Sequence, residues 1–210
     1  MKSLIDSMNW RYATKQFDPE KKLSDEVRDA LAESLRLTAS SFGLQAWKFL
    51  FIRSQEVKEL LKPATFNQNQ ITDCSDVVVL TAPREVGEVQ IDRYIHHMAQ
   101  VRQVDVSTLD GFKGYLAGFI KNKSENDVAQ WVDKQIYIAL GNLLTSAAIL
   151  QVDTCAIEGF KSSAYDDILK LKENGLRSVV VCALGYRQSA DKHATHLKVR
   201  FPINEVVEYI

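Results

Sequence analysis

Two pairs of cations lie near opposite ends of the chain, and each pair has a spacing that could hold an anion. Arg11 and Lys15 are four residues apart, which places both on one side of a helical turn, and the Thr14 hydroxyl lies between them. Lys198 and Arg200 are two residues apart, which places both on one face of an extended segment. Alone, each pair fits a solvated basic surface equally well. Combined, they would supply the about two to three positive charges that a phosphate dianion requires.

Two polar stretches carry hydroxyl and amide side chains that could bind a heterocyclic ligand. Residues 39–47 include Ser40, Ser41 and Gln45, whose side chains can hydrogen-bond a polar ring edge, and Trp47 can anchor the stretch in the core. Residues 66–70 read Phe-Asn-Gln-Asn-Gln, a pattern that could match the donors and acceptors of a heterocycle. Taken alone, the first stretch also fits a capped helix end, and the second also fits a simple turn.

An acid and a glycine follow an apolar strand at residues 156–160. Gly159 would let a ligand approach free backbone N–H groups closely, because glycine has no side chain. A role for Glu158 as a general base is the less favoured alternative, since acids at such positions are usually structural. His96 and His97 diverge on a helix and have no apparent third ligand, so they predict surface residues and no metal site.

Six helical segments and four apolar strands must position these residues. The strands are expected at residues 49–52, 77–80, 154–157 and 179–184. The helices are expected over 3–10, from a cap at Ser24 to about Thr38, from a cap at Ser54 to Pro63, from Val86 to about Val104, from Asp127 through Ala147, and from Ser163 to Gly175. This pattern predicts an α+β protein with helices packed over one mixed sheet.

Two segments do not fit this regular pattern. Residues 111–119 mix glycines, aromatic residues and lysine with weak periodicity, which makes this segment a candidate mobile cover. The apolar end at residues 206–210 is unusual, because chain ends are normally polar and frayed. It predicts either a last edge strand on its own domain or an arm that pairs with a second subunit.

Length and composition limit the classes of function. The 210 residues favour one domain over 1–210, and 26 Lys and Arg against 27 Asp and Glu provide no global field for nucleic acid or an anionic membrane. Cys74, Cys155 and Cys182 are far apart in apolar stretches, which predicts buried free thiols in a reducing compartment. The N-terminus lacks the apolar core of a secretory leader, so we expect a cytoplasmic protein. The uncharged run 136–152 predicts a buried central helix rather than a membrane span.

In their order along the chain, these motifs resemble those of the oxygen-insensitive, FMN-dependent nitroreductases, including dihydropteridine reductase-like members. The resemblance covers nearly the whole chain and is weakest over 86–130. It departs from the family pattern at Ala13, Gly43, Ala46, Gln70 and Ala156. The resemblance implies contact of Lys15 with the flavin pyrimidine ring and a loop at 40–47 that reaches the flavin of the opposite subunit. The FMN-binding residues that it implies are Arg11, Tyr12, Ala13, Lys15, Ser40, Ser41, Gly43, Gln45, Asn67, Gln70, Ala156, Ile157, Glu158, Gly159, Lys198 and Arg200.

The resemblance also implies an intertwined homodimer with a mainly antiparallel central sheet and FMN at the subunit interface. Such an enzyme takes hydride from NAD(P)H and passes it through flavin N5 to a nitroaromatic, a quinone or a related small acceptor. The flavin carries the chemistry, so no catalytic side chain is expected, and Lys15 would support the reduced flavin. Two alternatives stay open: a flavin-dependent enzyme of other specificity, such as a dehalogenase or a flavin-processing enzyme, and a non-enzymatic interaction protein.

Overall fold

Helices flank a four-stranded sheet in the described part of the chain, residues 3–210 of this computed structural model. Residues 1 and 2, which belong to the expected domain and to the N-terminal segment examined for a leader, lie outside the described residues. The strands are β1 Lys48–Ile52, β2 Asp76–Pro83, β3 Asp153–Ile157 and β4 Leu176–Gly185. The helices are α1 Leu4–Trp10, α2 Asp25–Arg36, α3 Gln55–Leu61, α4 Gln70–Asp73, α5 Glu88–Arg102, α6 Asp110–Lys121, α7 Glu125–Ile149, α8 Ser162–Ile168 and α9 Ile203–Val206.

The sheet has the strand order β1-β2-β4-β3, and each pair of neighbouring strands is antiparallel. The prediction of an α+β fold around a mainly antiparallel sheet is therefore confirmed. The mixed character is limited to one parallel bridge between Ala13 and Thr154, where the N-terminal segment meets the edge of β3. A β-bulge at Leu80/Thr81 interrupts the register between β2 and β4.

Both faces of the sheet are covered, because side chains alternate between two apolar clusters. Val78 and Leu80 of β2 enter one cluster with α2, α5, α6 and α7. Val77 and Val79 enter the other with α3, α4 and α8. Since neighbouring strand residues point to opposite faces, a strand buried on both sides reads as a continuous apolar run. That is why the central strands β2 and β4 were visible in the sequence, although both extend beyond the predicted limits.

Ser24 and Ser54 cap α2 and α3 as the sequence predicts, and their hydroxyls accept hydrogen bonds from backbone N–H groups three residues later, both at 3.3 Å. The long helix α7 begins two residues before the expected Asp127, because the Ser124 hydroxyl caps it in the same way at 3.1 Å. The run 136–152 lies mostly in α7, whose buried face includes Ile136 and Leu140 while Ile138 on the other side is 49% exposed. Within residues 3–210, no helix has both the length and the apolarity to cross a membrane.

Residues 111–119, the candidate cover, lie within the regular helix α6, in which Leu116 is fully buried. Two sequence predictions need correction. The end of the chain does not form an edge strand on its own domain: α9 is a single turn, and the residues after it are exposed. The helix expected up to Gly175 already ends at Ile168, because the following backbone turns through a left-handed Lys170 into a short 3-10 helix at Lys172–Asn174.

Candidate functional site

The cations from the two ends of the chain meet in space. Arg11 follows the last residue of α1, and its carbonyl accepts a hydrogen bond from the Lys198 ammonium group. Burial lowers the pKa of Arg11, and the nearby Arg200 lowers it further. Burial also lowers the pKa of Lys198, with additional contributions from Arg11 and Arg200. Arg200 is thus close enough to disfavour the charges of both Arg11 and Lys198, and we call Arg11, Lys198 and Arg200 the cation cluster.

Protein carboxylates do not compensate the cation cluster. Among residues 3–210, none of its three side chains takes part in an ion pair. Ten other Arg, Lys and His side chains in the same range each pair with an Asp or Glu. Bringing like charges together costs free energy unless an anion offsets it. Three neighbouring cations, two of them guanidinium groups that can bind in bidentate fashion, have the charge and the donor types that a phosphate group requires. The cluster is therefore suited to bind a phosphorylated ligand.

A buried carboxylate that the sequence did not reveal holds the segment that carries Arg11 and Lys15. The Asp191 side chain accepts hydrogen bonds from the Tyr12 hydroxyl at 2.8 Å and from the Lys15 backbone N–H at 2.9 Å. Further donors are the backbone N–H groups of Gln16, at 3.1 Å, and His193, at 3.0 Å. Burial alone would raise the pKa of this carboxyl, but the hydrogen bonds hold it well below its usual range.

Asp153 provides a second anchor for the same segment, at the start of β3. It accepts hydrogen bonds from the Thr14 hydroxyl at 3.3 Å and from the Arg187 backbone N–H at 2.8 Å. The Arg187 guanidinium also pairs with this carboxylate and lies over the Tyr12 ring, 4.5 Å from its centroid. The Tyr12 side chain therefore anchors this segment, and only the Tyr12 backbone remains available to a ligand.

A second group of predicted site residues lies at the end of β3. The Gln68 amide donates a hydrogen bond to the Gly159 carbonyl at 3.1 Å, which brings the 66–70 stretch beside the 156–160 stretch. The exposed Glu158 carboxylate accepts a hydrogen bond from the Tyr137 hydroxyl of α7, and burial followed by this contact raises the pKa of Tyr137 to about 12. Lys15 lies close enough to Cys155 to lower that thiol's pKa against the larger, opposing effect of burial.

The predicted residues of these stretches face solvent in part. Ala13, Lys15, Asn67, Ala156, Glu158 and Gly159 are exposed, Gln70 is half-buried at the start of α4, and Ile157 is buried in the second apolar cluster. Phe66 and Asn67 adopt positive φ angles of 51° and 57°. Consecutive left-handed residues that are not glycine cost free energy and are concentrated at functional sites. Four of the five motifs thus share one connected region around β3.

The loop from Ser40 to Gln45 is held by contacts with α5 and α7. Within residues 3–210, no hydrogen bond or ion pair connects this loop to the cation cluster. Its backbone is held by the Gln135 side chain, which accepts from Ser41 N–H at 2.8 Å, and by the Tyr94 hydroxyl, which donates to the Phe42 carbonyl at 2.9 Å. The loop is therefore held by α5 and α7, without a direct contact of this kind to the other predicted site residues in the described part of the chain.

The same loop has a conformation that depends on glycine. Gly43 has a φ of 70°, and a Cβ atom there would lie 2.5 Å from the Tyr94 hydroxyl. Its neighbours Phe42 and Gln45 also have positive φ angles, of 57° and 51°. The Phe42 ring packs edge-on against Phe119 of α6, at a centroid distance of 4.9 Å, and Trp131 of α7 completes an aromatic cluster. Gly43, a departure from the resembled pattern, is thus required by close packing.

Other candidate chemistry is excluded or confined to structure. The three cysteines are buried and unbridged, and burial raises the pKa of Cys74 to about 12, so they are poor nucleophiles. His96 and His97 are exposed, as predicted. In the described residues, no group of three or more His, Cys, Asp or Glu side chains could hold a metal ion. Asp191, Gln135, Tyr94 and Tyr137 were missed, because their partners are distant in sequence and only the N-cap position of Asp191 has a local pattern.

Comparison with known proteins gives the class of the molecule. The model that describes the nitroreductase family matches residues 8–186 of this chain. A Staphylococcus haemolyticus protein provisionally named an NAD(P)H nitroreductase is 36% identical over 219 residues, covering 99% of this chain and 97% of the relative. The chain belongs to the nitroreductase family, a family of oxidoreductases.

Solved structures agree with this assignment at the level of the fold. A Staphylococcus epidermidis protein provisionally titled an NAD(P)H:FMN oxidoreductase superposes with a TM-score of 0.86 and 22% identity, over 100% of this chain and 97% of that chain. A provisionally titled nitroreductase from Exiguobacterium sibiricum, solved in complex with FMN, gives a TM-score of 0.84 and 22% identity, over 100% and 98% of the two chains. At this identity the likeness establishes the fold.

Proposed function

We propose that residues 1–210 act as one FMN-binding domain of a homodimeric oxidoreductase. The enzyme takes hydride from NAD(P)H and reduces nitroaromatics, quinones or related small acceptors in two half-reactions. Relatives that are named as NAD(P)H nitroreductases support this class of reaction, and the FMN complex of a structural neighbour supports the cofactor. A cytoplasmic location belongs to the same proposal and is supported by three buried, unbridged cysteines.

The observation that carries the proposal is the uncompensated charge of the cation cluster. Arg11, Lys198 and Arg200 come from segments almost 190 residues apart, and Arg200 disfavours the charges of both Arg11 and Lys198. Two contacts keep these cations close together in the folded chain. Lys198 donates a hydrogen bond to the Arg11 carbonyl, and Asp191 holds the segment after Arg11 through the Lys15 backbone N–H. A bound phosphate dianion converts the repulsion into attraction, and the ribityl phosphate of FMN supplies such a group.

The remaining residues are assigned by their position relative to that phosphate. Bound flavin supplies hydride transfer, and the protein supplies orientation and electrostatics. Lys15, fixed through its backbone by Asp191, places a cation near the ring edge that becomes negative on reduction. The exposed backbone at Ala156–Gly159 and the left-handed Asn67 provide hydrogen-bonding groups for the rest of the ring. No side chain of this chain is required as a nucleophile.

A second copy of the chain completes the site in this proposal. Within residues 3–210 the Ser40–Gln45 loop forms no hydrogen bond or ion pair with the cation cluster, and we assign Ser40, Ser41, Gly43 and Gln45 to the partner's flavin. The exposed apolar residues of the tail support this arrangement, since Leu197 is 92% exposed and Tyr209 is 91% exposed. The chain end is then an arm that packs on the other subunit. Removing residues 203–210 should convert a dimer to monomer in sedimentation velocity experiments.

The decisive experiment is the visible spectrum of the purified protein before and after addition of NADPH under anaerobic conditions. We expect a flavin spectrum that bleaches on addition of the nicotinamide and returns when a quinone is added. A colourless protein that ignores added FMN would support the non-enzymatic alternative. A flavin that stays oxidised with NADPH, or that is consumed rather than recycled, would support a different flavin-dependent enzyme. Steady NAD(P)H oxidation with constant FMN would support the reductase.

A further inference from the structure

A cavity lies between α5 and the segment Leu44–Trp47, and none of the three cation-cluster residues lines it. Its volume is about 560 Å³, within the range of small-molecule sites. One wall is formed by the 44–47 segment, which includes the exposed Gln45 and the half-buried Trp47. The other wall is one side of α5. We call this space the α5 cavity.

The α5 wall is a stripe of polar side chains without an acid. Gln90, Arg93, His97 and Gln100 follow one another at intervals of three, four and three residues, the spacing of one helix face. No Asp or Glu lines the α5 cavity. Arg93 is exposed, and within residues 3–210 its guanidinium group forms no ion pair or side-chain hydrogen bond. The cavity therefore presents an uncompensated cation together with amide and imidazole groups.

A second cavity of similar size shows that this composition is not general to the surface. It has a volume of about 630 Å³ and lies between the end of β2, α6 and the start of α7. Its cations Arg84, Lys121 and Lys123 are matched in number by acids. Those acids are Glu85, Glu88 and Glu125. An anion is thus favoured in the α5 cavity and not in the balanced one.

The walls together fit a phosphorylated heterocycle. Arg93 can bind a phosphate group in bidentate geometry, and the stripe of amides can pair with donors and acceptors at a base edge. Trp47 offers an aromatic surface for stacking, as it also packs against Phe49 at a centroid distance of 5.5 Å. Phosphate, hydrogen-bonding edge and flat ring are the three parts of an adenine nucleotide.

The position of the cavity connects it to the proposed reaction. Gln45 borders the α5 cavity and belongs to the loop assigned to the partner's flavin, and Tyr94, another lining residue, holds the Phe42 carbonyl of that loop. We propose that the α5 cavity binds the phosphate-bearing adenylate half of the nicotinamide dinucleotide, with Arg93 as its phosphate ligand. This inference rests on the proposed function. The phosphate is either the 2′-phosphate of NADPH or the pyrophosphate that NADPH and NADH share.

Steady-state kinetics of Arg93→Gln test the assignment. We expect KM for the nicotinamide to rise about tenfold, the loss of one charge-assisted hydrogen bond, while kcat and the FMN content stay unchanged. A rise for NADPH alone assigns the 2′-phosphate, and equal rises for NADPH and NADH assign the pyrophosphate. Lys121→Gln, which removes a cation from the balanced cavity, is the matched control and should leave both KM values unchanged. Unchanged KM values in Arg93→Gln would overturn the inference.

Direct binding separates this inference from the proposed function. Calorimetric titration of the purified protein with adenosine 2′,5′-bisphosphate and with ADP needs no flavin chemistry. We expect at least one of the two nucleotides to bind the parent protein and Lys121→Gln alike, and to bind Arg93→Gln about tenfold more weakly. If the parent protein carries flavin that NADPH bleaches but binds neither nucleotide, the α5 assignment is wrong and the proposed function stands. If the protein is colourless but binds nucleotide through Arg93, the proposed flavin-dependent function is wrong and the α5 cavity is still a nucleotide site.

Discussion

Two arginine-containing regions of this molecule use the same residue type in opposite ways. Arg28 is 9% exposed and its guanidinium reaches Asp76 at 2.7 Å, Asp25, and the Leu23 carbonyl at 3.0 Å. Its hydrogen bond to Asp76 raises the pKa of Arg28. Arg11 lies in the cation cluster with its pKa lowered by burial and by Arg200. The first region has its charge paired within the protein, whereas the second has no paired acid among residues 3–210 and is the site we propose for a phosphate.

The difference separates residues that maintain the fold from residues that bind. A buried charge with a complete set of partners is costly to disrupt, because removal of one partner leaves the other unpaired in the interior. A charge without partners contributes nothing favourable to the empty protein and becomes useful when an anion arrives. Each of the following substitutions changes one side of this contrast, in order of decreasing expected effect.

The largest effect is expected for Arg28→Met, which leaves the Asp76 carboxylate fully buried with Ser75 as its remaining hydrogen-bond donor. The free energy of unfolding should fall by about 3 to 5 kcal/mol, measured by urea denaturation. FMN affinity of the folded fraction should not change. A variant with parental stability would show that the Arg28–Asp76 pair is not needed for the fold. A variant with parental stability and weakened FMN binding would show that Arg28 belongs with the ligand-binding residues.

Arg200→Gln should have the opposite profile. We expect the dissociation constant for FMN to increase about 10- to 100-fold, because one charge-assisted hydrogen bond to the phosphate is lost. The stability of the flavin-free protein should be unchanged or slightly higher, since repulsion on Arg11 and Lys198 is relieved. Flavin fluorescence titration and urea denaturation measure the two quantities. If the flavin-free variant unfolds more easily than the parent but binds FMN with parental affinity, Arg200 is a structural residue and not a phosphate ligand.

Asp191→Asn tests the anchor that connects the two kinds of region, and it predicts a pH dependence. The folded-state pKa of Asp191 is held below the value of about 3.9 in an unfolded chain. Its carboxylate therefore contributes stability that is complete above about pH 4 and is lost as the pH falls toward the folded-state pKa. We expect the substitution to cost about 1 to 2 kcal/mol near pH 7.

The difference between Asp191→Asn and the parent protein should shrink below about pH 4, in chemical denaturation curves recorded across this range. Asp29→Asn is a suitable control, because that side chain is exposed and, among residues 3–210, forms no ion pair or side-chain hydrogen bond, so its loss should change the unfolding free energy little. A difference that stays constant with pH would mean that shape, rather than charge, makes Asp191 important.

The smallest effect is expected for Lys15→Ala. Its cation is assigned to the reduced flavin, so the variant should lower the flavin reduction potential by roughly 30 mV, the equivalent of about 1.4 kcal/mol for two electrons. The fold should be intact, because Lys15 is exposed and its anchor is a backbone N–H. Lys15→Arg should restore most of the shift. An unchanged potential in spectroelectrochemical titration of Lys15→Ala would defeat the assigned role.

Much of the fold could be predicted from local patterns. Strands β2 and β4 are continuous apolar runs, and Ser24, Ser54 and Ser124 precede helices with the spacing that a cap requires. Segment α6 escaped prediction because its single fully buried residue, Leu116, gives too weak a period, and tertiary contacts of Phe119 stabilise it instead.

The candidate site was predictable only in its residue types. The spacing of Arg11, Lys198 and Arg200 indicated anion binding, but their meeting depends on the Ala13–Thr154 bridge and on Asp191, which are long-range contacts. The polar stripe of α5 was also hidden, since Arg93 and His97 become informative only when the opposite wall at Trp47 is known. A binding site that depends on unpaired charges can be recognised only when it is known which charges lack a partner. That information comes from the folded structure and not from the sequence.

The tail combines two roles in a short stretch. Lys198 and Arg200 belong to the cation cluster, while Leu197, Val199 and Phe201 alternate with them and are at least 75% exposed. An extended chain sends these two sets to opposite sides, so in the proposed dimer one side faces the FMN phosphate and the other the partner subunit. Under this proposal, FMN binding and subunit association share one coupling free energy, and each strengthens the other by the same factor. Dilution should therefore release flavin, and saturating flavin should hold the subunits together at lower concentrations.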